Sequence, residues 1–259
     1  MRITSLGERR EFYSREFSLA KIRAWFRGWQ SPIVFAVVIG RHTRIAPRKY
    51  LRERARTIVI DEYEGLSEVK NYLNDFRPES VYYDRNVYKD WDQARRVGND
   101  TTRLGRAFGQ ELVFDVDPEN FTCPIHGTLE DKMRMHQGLS FCRFEFQLAR
   151  QEAAQLVETL SRRFSQISPV YSGRGFHIHI TDEETVFWNR KKRLALVRSL
   201  TKKGFVTDEW VPAGGMRLIR LPYSLNGLVS RIAIPLAGNE LGVFDPIADE
   251  RTIPKFLSR

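Results

Sequence analysis

The chain has 259 residues, 42% of them hydrophobic and 12% aromatic, which suffices for a sizeable core and excludes a mainly disordered chain. Its formal net charge is +10, with basic residues spread along the chain; such a surface favours polyanions such as nucleic acid or nucleotides, plain solubility being the other reading. Cys123 and Cys142 are the only cysteines, the N-terminus lacks a signal peptide's apolar core, and no run approaches the ~18 apolar residues of a membrane span, so a soluble, intracellular protein without a disulfide framework is expected.

Residues 8–29 place Phe12, Phe17, Leu19, Ile22 and Phe26 at roughly helical spacing among many charges. PIVFAVVIG (32–40) reads as a buried strand, LSEVKNYLNDF (66–76) as a helix, and SVYYDRNVY (80–88) as extended chain. LVFDVD (112–117) is a further strand, followed by an irregular stretch from Pro118 to about Phe141. A helix is predicted over 144–164, a strand-turn-strand over PVYSGRGFHIHI (169–180), and a basic helix over RKKRLALVRSLTKK (190–203). MRLIRLP (216–222) and SRIAIPL (230–236) are the last strands. Strands and helices alternate without a repeated βαβ period, which predicts an α+β fold with antiparallel pairing, in one compact unit of two lobes.

Within LVFDVD, Leu112, Phe114 and Val116 alternate with Val113, Asp115 and Asp117. Two carboxylates thus share one face at a strand end, at the cost of like-charge repulsion. A divalent cation removes that cost. Two acids on a rigid strand plus a third from elsewhere describe a two-metal phosphoryl-transfer site for Mg²⁺ or Mn²⁺. The competing reading is an exposed strand end with solvated charges.

YSGRGFHIHI (171–180) combines a glycine-flanked turn with Ser172 and Arg174, and the strand behind it puts His177 and His179 on one face. Glycines let the backbone approach a phosphate, Arg174 can grip it, and Ser172 and His177 can donate to it. Buried hydrogen-bonding histidines or a metal pair are the alternatives. Residues 207–227 add Asp208 and Glu209, then Arg217 and Arg220 around an apolar pair, and Ser224 and Asn226 in a polar turn. Between these stretches, Cys123, His126, His136 and Cys142 follow C-x2-H-x9-H-x5-C, a set that suits tetrahedral zinc or is an accidental cluster.

Taken together, LVFDVD, SGRGFH and RLIRLPYSLNG resemble, in order, the hhhDhD, SGxxGxH and RLxRxPxSLHG motifs of archaeo-eukaryotic primases, most closely the small catalytic subunit of archaeal DNA primase. SVYYDRNVY and REFYSREF resemble further segments of that family, so the likeness covers most of the chain. It implies a single catalytic domain over 1–259, of two mixed or antiparallel β-sheet lobes flanked by helices, with a zinc-knuckle insertion at about 118–142. It makes Asp115, Asp117 and Asp208 the catalytic metal ligands. Ser172, Arg174 and His177 hold the incoming triphosphate, Arg220 contacts phosphate, and Asn226 stands at the sugar or phosphate; Arg44 is the candidate for an early phosphate-binding arginine. Zinc on Cys123, His126, His136 and Cys142 would be structural.

The implied activity is primer synthesis de novo on single-stranded DNA from nucleoside triphosphates, by two Mg²⁺ or Mn²⁺ ions, with a large subunit as partner, in a prokaryotic, archaeal cytoplasm. RKKR (190–193) and Lys202–Lys203 are candidates for template contact. Three departures stand out. The SGRGFH turn is one residue shorter than the family pattern, Asn226 replaces a histidine and so cannot carry its charge, and only thirty residues separate His177 from Asp208. A stand-alone primase-polymerase that extends primers with deoxynucleotides, and a non-catalytic zinc-containing nucleic-acid-binding protein, are the alternatives.

Overall fold

The alternating segments pair into antiparallel sheets in the computed structural model, which describes residues 1–29, 31, 33–88, 107–134, 142–206 and 208–258. In chain order the elements are α1 (Leu6–Glu11), α2 (Leu19–Trp25), β1 (Phe35–Val38), β2 (Thr57–Ile60), α3 (Leu66–Phe76), β3 (Ser80–Asp84), β4 (Asn86–Tyr88), β5 (Ala107–Gln110) and β6 (Leu112–Val116). There follow α4 (Leu129–Arg134), α5 (Arg143–Ser161), β7 (Ile167–Tyr171), β8 (Phe176–Ile180), α6 (Glu183–Val186), α7 (Arg190–Thr201), β9 (Leu218–Arg220), β10 (Leu225–Asn226), β11 (Arg231–Ile232) and β12 (Ile234–Pro235). The fold is α+β. The chain forms two compact units, one of Met1–Gly109, Leu218–Ile234 and Pro246–Arg259, the other of Gln110–Arg217 and Pro235–Asp245. No helix among the described residues is long and apolar enough to cross a membrane.

In the first unit the sheet order is β2-β1-β3-β9, with antiparallel neighbours throughout. Every side chain of β1 is buried, because a central strand covered on both faces reads as a continuous apolar run rather than an alternating one. The helix expected over 8–29 is interrupted. A π-helical turn at Phe12–Glu16 ends where Phe17 leaves helical dihedrals, and the Ser18 hydroxyl caps a new helix at the Lys21 amide. The break lets Phe12, Tyr13 and Phe17 pack as one buried aromatic group, with centroids 5.1–6.5 Å apart.

Burying a charge is costly unless it finds partners, and Arg9 and Glu79 both find several. The fully buried Arg9 guanidinium donates to Thr4 Oγ1, Thr43 Oγ1 and the Ile39 and Ile45 carbonyls. Glu79, the residue before β3, accepts from the amide and hydroxyl of Thr43 (2.9 and 2.8 Å) and lies 2.8 Å from His42 Nδ1. Burial pushes its carboxyl up, but the bonds from His42 and Thr43 outweigh that and hold it at about 2.

The second unit is built on the order β12-β7-β8-β6. Helix α5 buries Phe146, Ala149, Ala153, Leu156 and Leu160, a stripe at helical spacing. Phe146 meets Tyr171, Phe176 and Phe244 at centroid distances of 5.4–6.4 Å. His179 of β8 is fully buried and its Nδ1 lies 2.9 Å from Glu111 Oε1.

Helix α7 starts at Arg190 as expected and ends at Thr201, two residues short of the predicted end, and its RKKR start is not uniformly solvated. Arg190, Lys191 and Lys192 are exposed, but Arg193 turns inward on the face of Val197 and Leu200. Its guanidinium donates to the carbonyls of Trp188, Thr185, Glu111 and Gln110. Arg193 is therefore a structural clamp and is removed from the set of template-facing cations.

Candidate functional site

Register decides what the strand end does. Across β6 and β8, Val113 faces His179, Asp115 faces His177 and Val116 faces Phe176. Directly opposed residues bring their side chains together, and His177 Nε2 stands 3.5 Å from Asp115 Oδ1. Asp117 lies one residue beyond β6, in extended dihedrals, at the head of a 3-10 turn over Pro118–Asn120.

The SGRG turn closes onto this strand end. The Ser172 amide donates to the Gly175 carbonyl (2.9 Å), and the Gly175 amide to Ser172 Oγ (3.1 Å). Gly173 has φ +101°, in the region that L side chains rarely adopt. A Cβ on Gly175 would stand 2.4 Å from the Val116 carbonyl oxygen and 2.7 Å from Asp117 Oδ1. Only glycine fits there, so the turn backbone lies directly against the second aspartate. Arg174 is largely buried and its guanidinium meets Glu119 Oε2 at 2.6 Å. That partner was not anticipated, although a carboxylate two residues after Asp117 is visible in the sequence.

Asp208 belongs to the same compact unit as Asp115 and Asp117. It is half-buried, and its Oδ1 accepts the Trp210 amide at 2.8 Å. The three acids do not form a group as tight as the one described next.

In the first unit, Arg220 lies on β9 with its guanidinium 4.9 Å from the centroid of the Tyr82 ring, a cation–π distance. Asn226 on β10 is buried and accepts the Leu228 amide at 3.2 Å. Arg44 is exposed at φ +59°, in the loop that Glu79 holds through His42 and Thr43.

Cys123, His126 and Cys142 come together as expected, while His136 lies outside the described residues. Beside them stands Glu145, which was not anticipated; all four offer ligand atoms within 4.8 Å of one another. The Cys123 and Gly127 backbones form a two-way bridge (2.8 and 2.7 Å), with Gly127 at φ +74°, and the Ile125 amide points at Cys123 Sγ (3.4 Å). Burial pushes the Cys123 thiol up. The signal for Glu145 was its spacing: Cys142-x2-Glu145 repeats the Cys123-x2-His126 interval, and at a helix start this puts both residues on one side of the first turn.

No family model matches the chain. It is 45% identical over 262 residues to an uncharacterized DNA primase small subunit-like protein of Archaeoglobus fulgidus, covering 99% of this chain and 92% of that protein. It is 28% identical to the DNA primase small subunit of Pyrobaculum calidifontis, over 69% of this chain and 66% of the relative. With that of Pyrococcus furiosus the identity is 26%, and the match spans 74% of this chain and 48% of the relative. The chain belongs to the archaeo-eukaryotic primase superfamily. Within it, the similarity runs over nearly its whole length to the small subunit-like protein of Archaeoglobus fulgidus, and over a shorter span to archaeal DNA primase small subunits.

Proposed function

We propose that this protein is a DNA-templated nucleotidyltransferase that begins primers de novo on single-stranded DNA, with Asp115, Asp117 and Asp208 as its catalytic metal ligands. The observation that carries this reading is the Asp115–His177 pairing, together with the packing of Gly175 against Asp117. Two motifs 55 residues apart in the chain, if measured from Asp117 to Ser172, meet at one strand end. Acids there would face the reacting phosphorus, and the turn beside them would hold the triphosphate.

The donor set suits hard divalent cations: carboxylate oxygens, partly exposed, with no thiolate among them. Magnesium or manganese held there would lower the pKa of the attacking 3′-hydroxyl and stabilise the charge on departing pyrophosphate. The remaining work falls to side chains. Ser172 Oγ and His177 donate to phosphate oxygens. Arg174 exchanges its bond to Glu119 for one to phosphate, so that its charge is compensated in both states. Arg220, Asn226 and Arg44 are assigned to nucleotide binding by family likeness alone. Lys202 and Lys203, both exposed, and the exposed part of α7 would contact template phosphates. A large primase subunit as partner belongs to the same proposal.

A second reading is a stand-alone primase-polymerase that extends primers with deoxynucleotides. Asn226 favours it, since its buried amide engages the local backbone and carries no charge where the family has a histidine. The test is incorporation of labelled nucleotide on an unprimed single strand, with and without a supplied primer, using ribo- and deoxynucleotides in parallel and Asp117→Ala as the control. Dinucleotide formation without primer supports the first reading. Extension of a supplied primer alone supports the second, and incorporation surviving Asp117→Ala overturns both.

A further inference from the structure

Three distances within the Cys/His/Glu group match edges of a coordination polyhedron, and all four ligand atoms lie within 4.8 Å of one another. Cys123 Sγ lies 3.9 Å from Cys142 Sγ and 3.5 Å from His126 Nδ1, and His126 Nδ1 lies 3.4 Å from Glu145 Oε1. A tetrahedral zinc with sulfur at ~2.3 Å and nitrogen or oxygen at ~2.0–2.1 Å has edges of about 3.8 Å between sulfurs, about 3.5 Å from sulfur to nitrogen and about 3.4 Å from nitrogen to oxygen. Each of these three edges agrees to about 0.1 Å.

We propose that the fourth zinc ligand is the Glu145 carboxylate, giving a Cys₂-His-Glu set in place of the Cys₂-His₂ set that includes His136. This rests on the reading of the segment as a zinc site and specifies its chemistry. Glu145 Oε1 carries the argument beyond distance alone. It is buried and makes no hydrogen bond of acceptable geometry, although Lys132 Nζ stands 3.2 Å away at ion-pairing distance. A buried carboxylate oxygen of that kind is costly unless something else takes its lone pair. His126 turns one nitrogen, Nδ1, toward both Cys123 and Glu145, as a ligand pointing at a common centre would.

The net charge also closes. Two thiolates, a carboxylate and a divalent cation leave one negative charge, which the buried Lys132 ammonium cancels from its place beside Glu145. Lys132 reaches the Phe121 carbonyl as well (3.4 Å), tying α4 to the loop that carries Cys123. All four ligands come from the protein, so the site has no vacancy for water and is structural. It joins the Cys123–Gly127 bridge to the first turn of α5.

The test uses the full chain, zinc content by mass spectrometry, affinity by competition with a chromogenic chelator, and the absorption spectrum of the cobalt(II) form. Wild type is expected to hold one zinc per chain. Glu145→Ala should weaken zinc by about 100-fold or more, and His136→Ala should leave affinity unchanged. Glu145→Cys keeps a ligand in place and so guards against simple unfolding; it should bind zinc and strengthen the sulfur-to-cobalt charge-transfer bands. If zinc persists at wild-type affinity in Glu145→Ala and is lost in His136→Ala, the fourth ligand is His136 and only this assignment falls. If Glu145→Cys leaves the cobalt spectrum unchanged, it also falls. If the wild-type protein takes up no zinc, the zinc reading itself is overturned.

Discussion

Asp115 and His177 face each other across β6 and β8, with His177 Nε2 3.5 Å from Asp115 Oδ1. A histidine placed against one of two neighbouring carboxylates can hold that acid's orientation and donate to an anion beside it. Asp115→Asn should therefore remove a metal ligand while preserving shape. Nucleotide incorporation is expected to fall by at least about 10²–10³-fold, with an unchanged thermal midpoint. Full incorporation by this variant would refute the role assigned to Asp115.

Gly175 tests the contact between turn and strand. Because a Cβ there would press on the Val116 carbonyl and Asp117 Oδ1, Gly175→Ala must move one of them. Overpacking of this kind costs roughly 1–3 kcal/mol. Both the midpoint of urea unfolding and the incorporation rate should drop, whereas Gly65→Ala, at a position where a Cβ meets nothing within 4 Å, serves as the control.

Arg174 and Glu119 form a bond that must open before the guanidinium can grip a phosphate. Glu119→Gln weakens the resting pair without deleting its shape. The expected result is a lower KM for the incoming nucleotide, by about 3- to 10-fold for a partly exposed pair, with kcat little changed. Arg174→Lys should raise KM, since lysine lacks the planar fork. A KM that ignores both substitutions would remove Arg174 from the nucleotide site.

Glu79 predicts an acid sensitivity with a definite sign. Its folded-state value of about 2 lies below the ordinary 4.5, so the native state binds fewer protons than the unfolded chain. The stabilisation is present in full above pH 4.5 and is lost as pH falls toward 2. For a shift of this size it amounts to ~3 kcal/mol. Urea midpoints at pH 6 and pH 3 should differ less in Glu79→Gln than in wild type. Equal acid sensitivity in the two proteins would show that Glu79 is not the group responsible.

Much of this protein was legible in its sequence because the relevant physics is local. Period-2 alternation marked β6 and β8, and the apolar runs marked β1 and the helix face of α5. Motif order was enough to identify the superfamily that full-length similarity then established. What the pattern could not express was partnership. Nothing in RKKR distinguishes Arg193, clamped inside on four carbonyls, from its three exposed neighbours until α7 is docked. The break at Phe17 likewise depends on an aromatic group that forms only when separate turns pack.

The composition and motif spacing by themselves determined the α+β class, the acid pair, the glycine turn and the cysteine-histidine segment, since each is written in neighbouring residues. Tertiary structure alone decided that Gly175 abuts Asp117, that Glu119 holds Arg174, and that Glu145 joins Cys123, His126 and Cys142. The reason is that side-chain chemistry is set by the residue, whereas the partner that satisfies a buried charge is set by chain segments far apart in sequence. Register and packing bring those segments within a few ångströms, and no local period records which ones they will be.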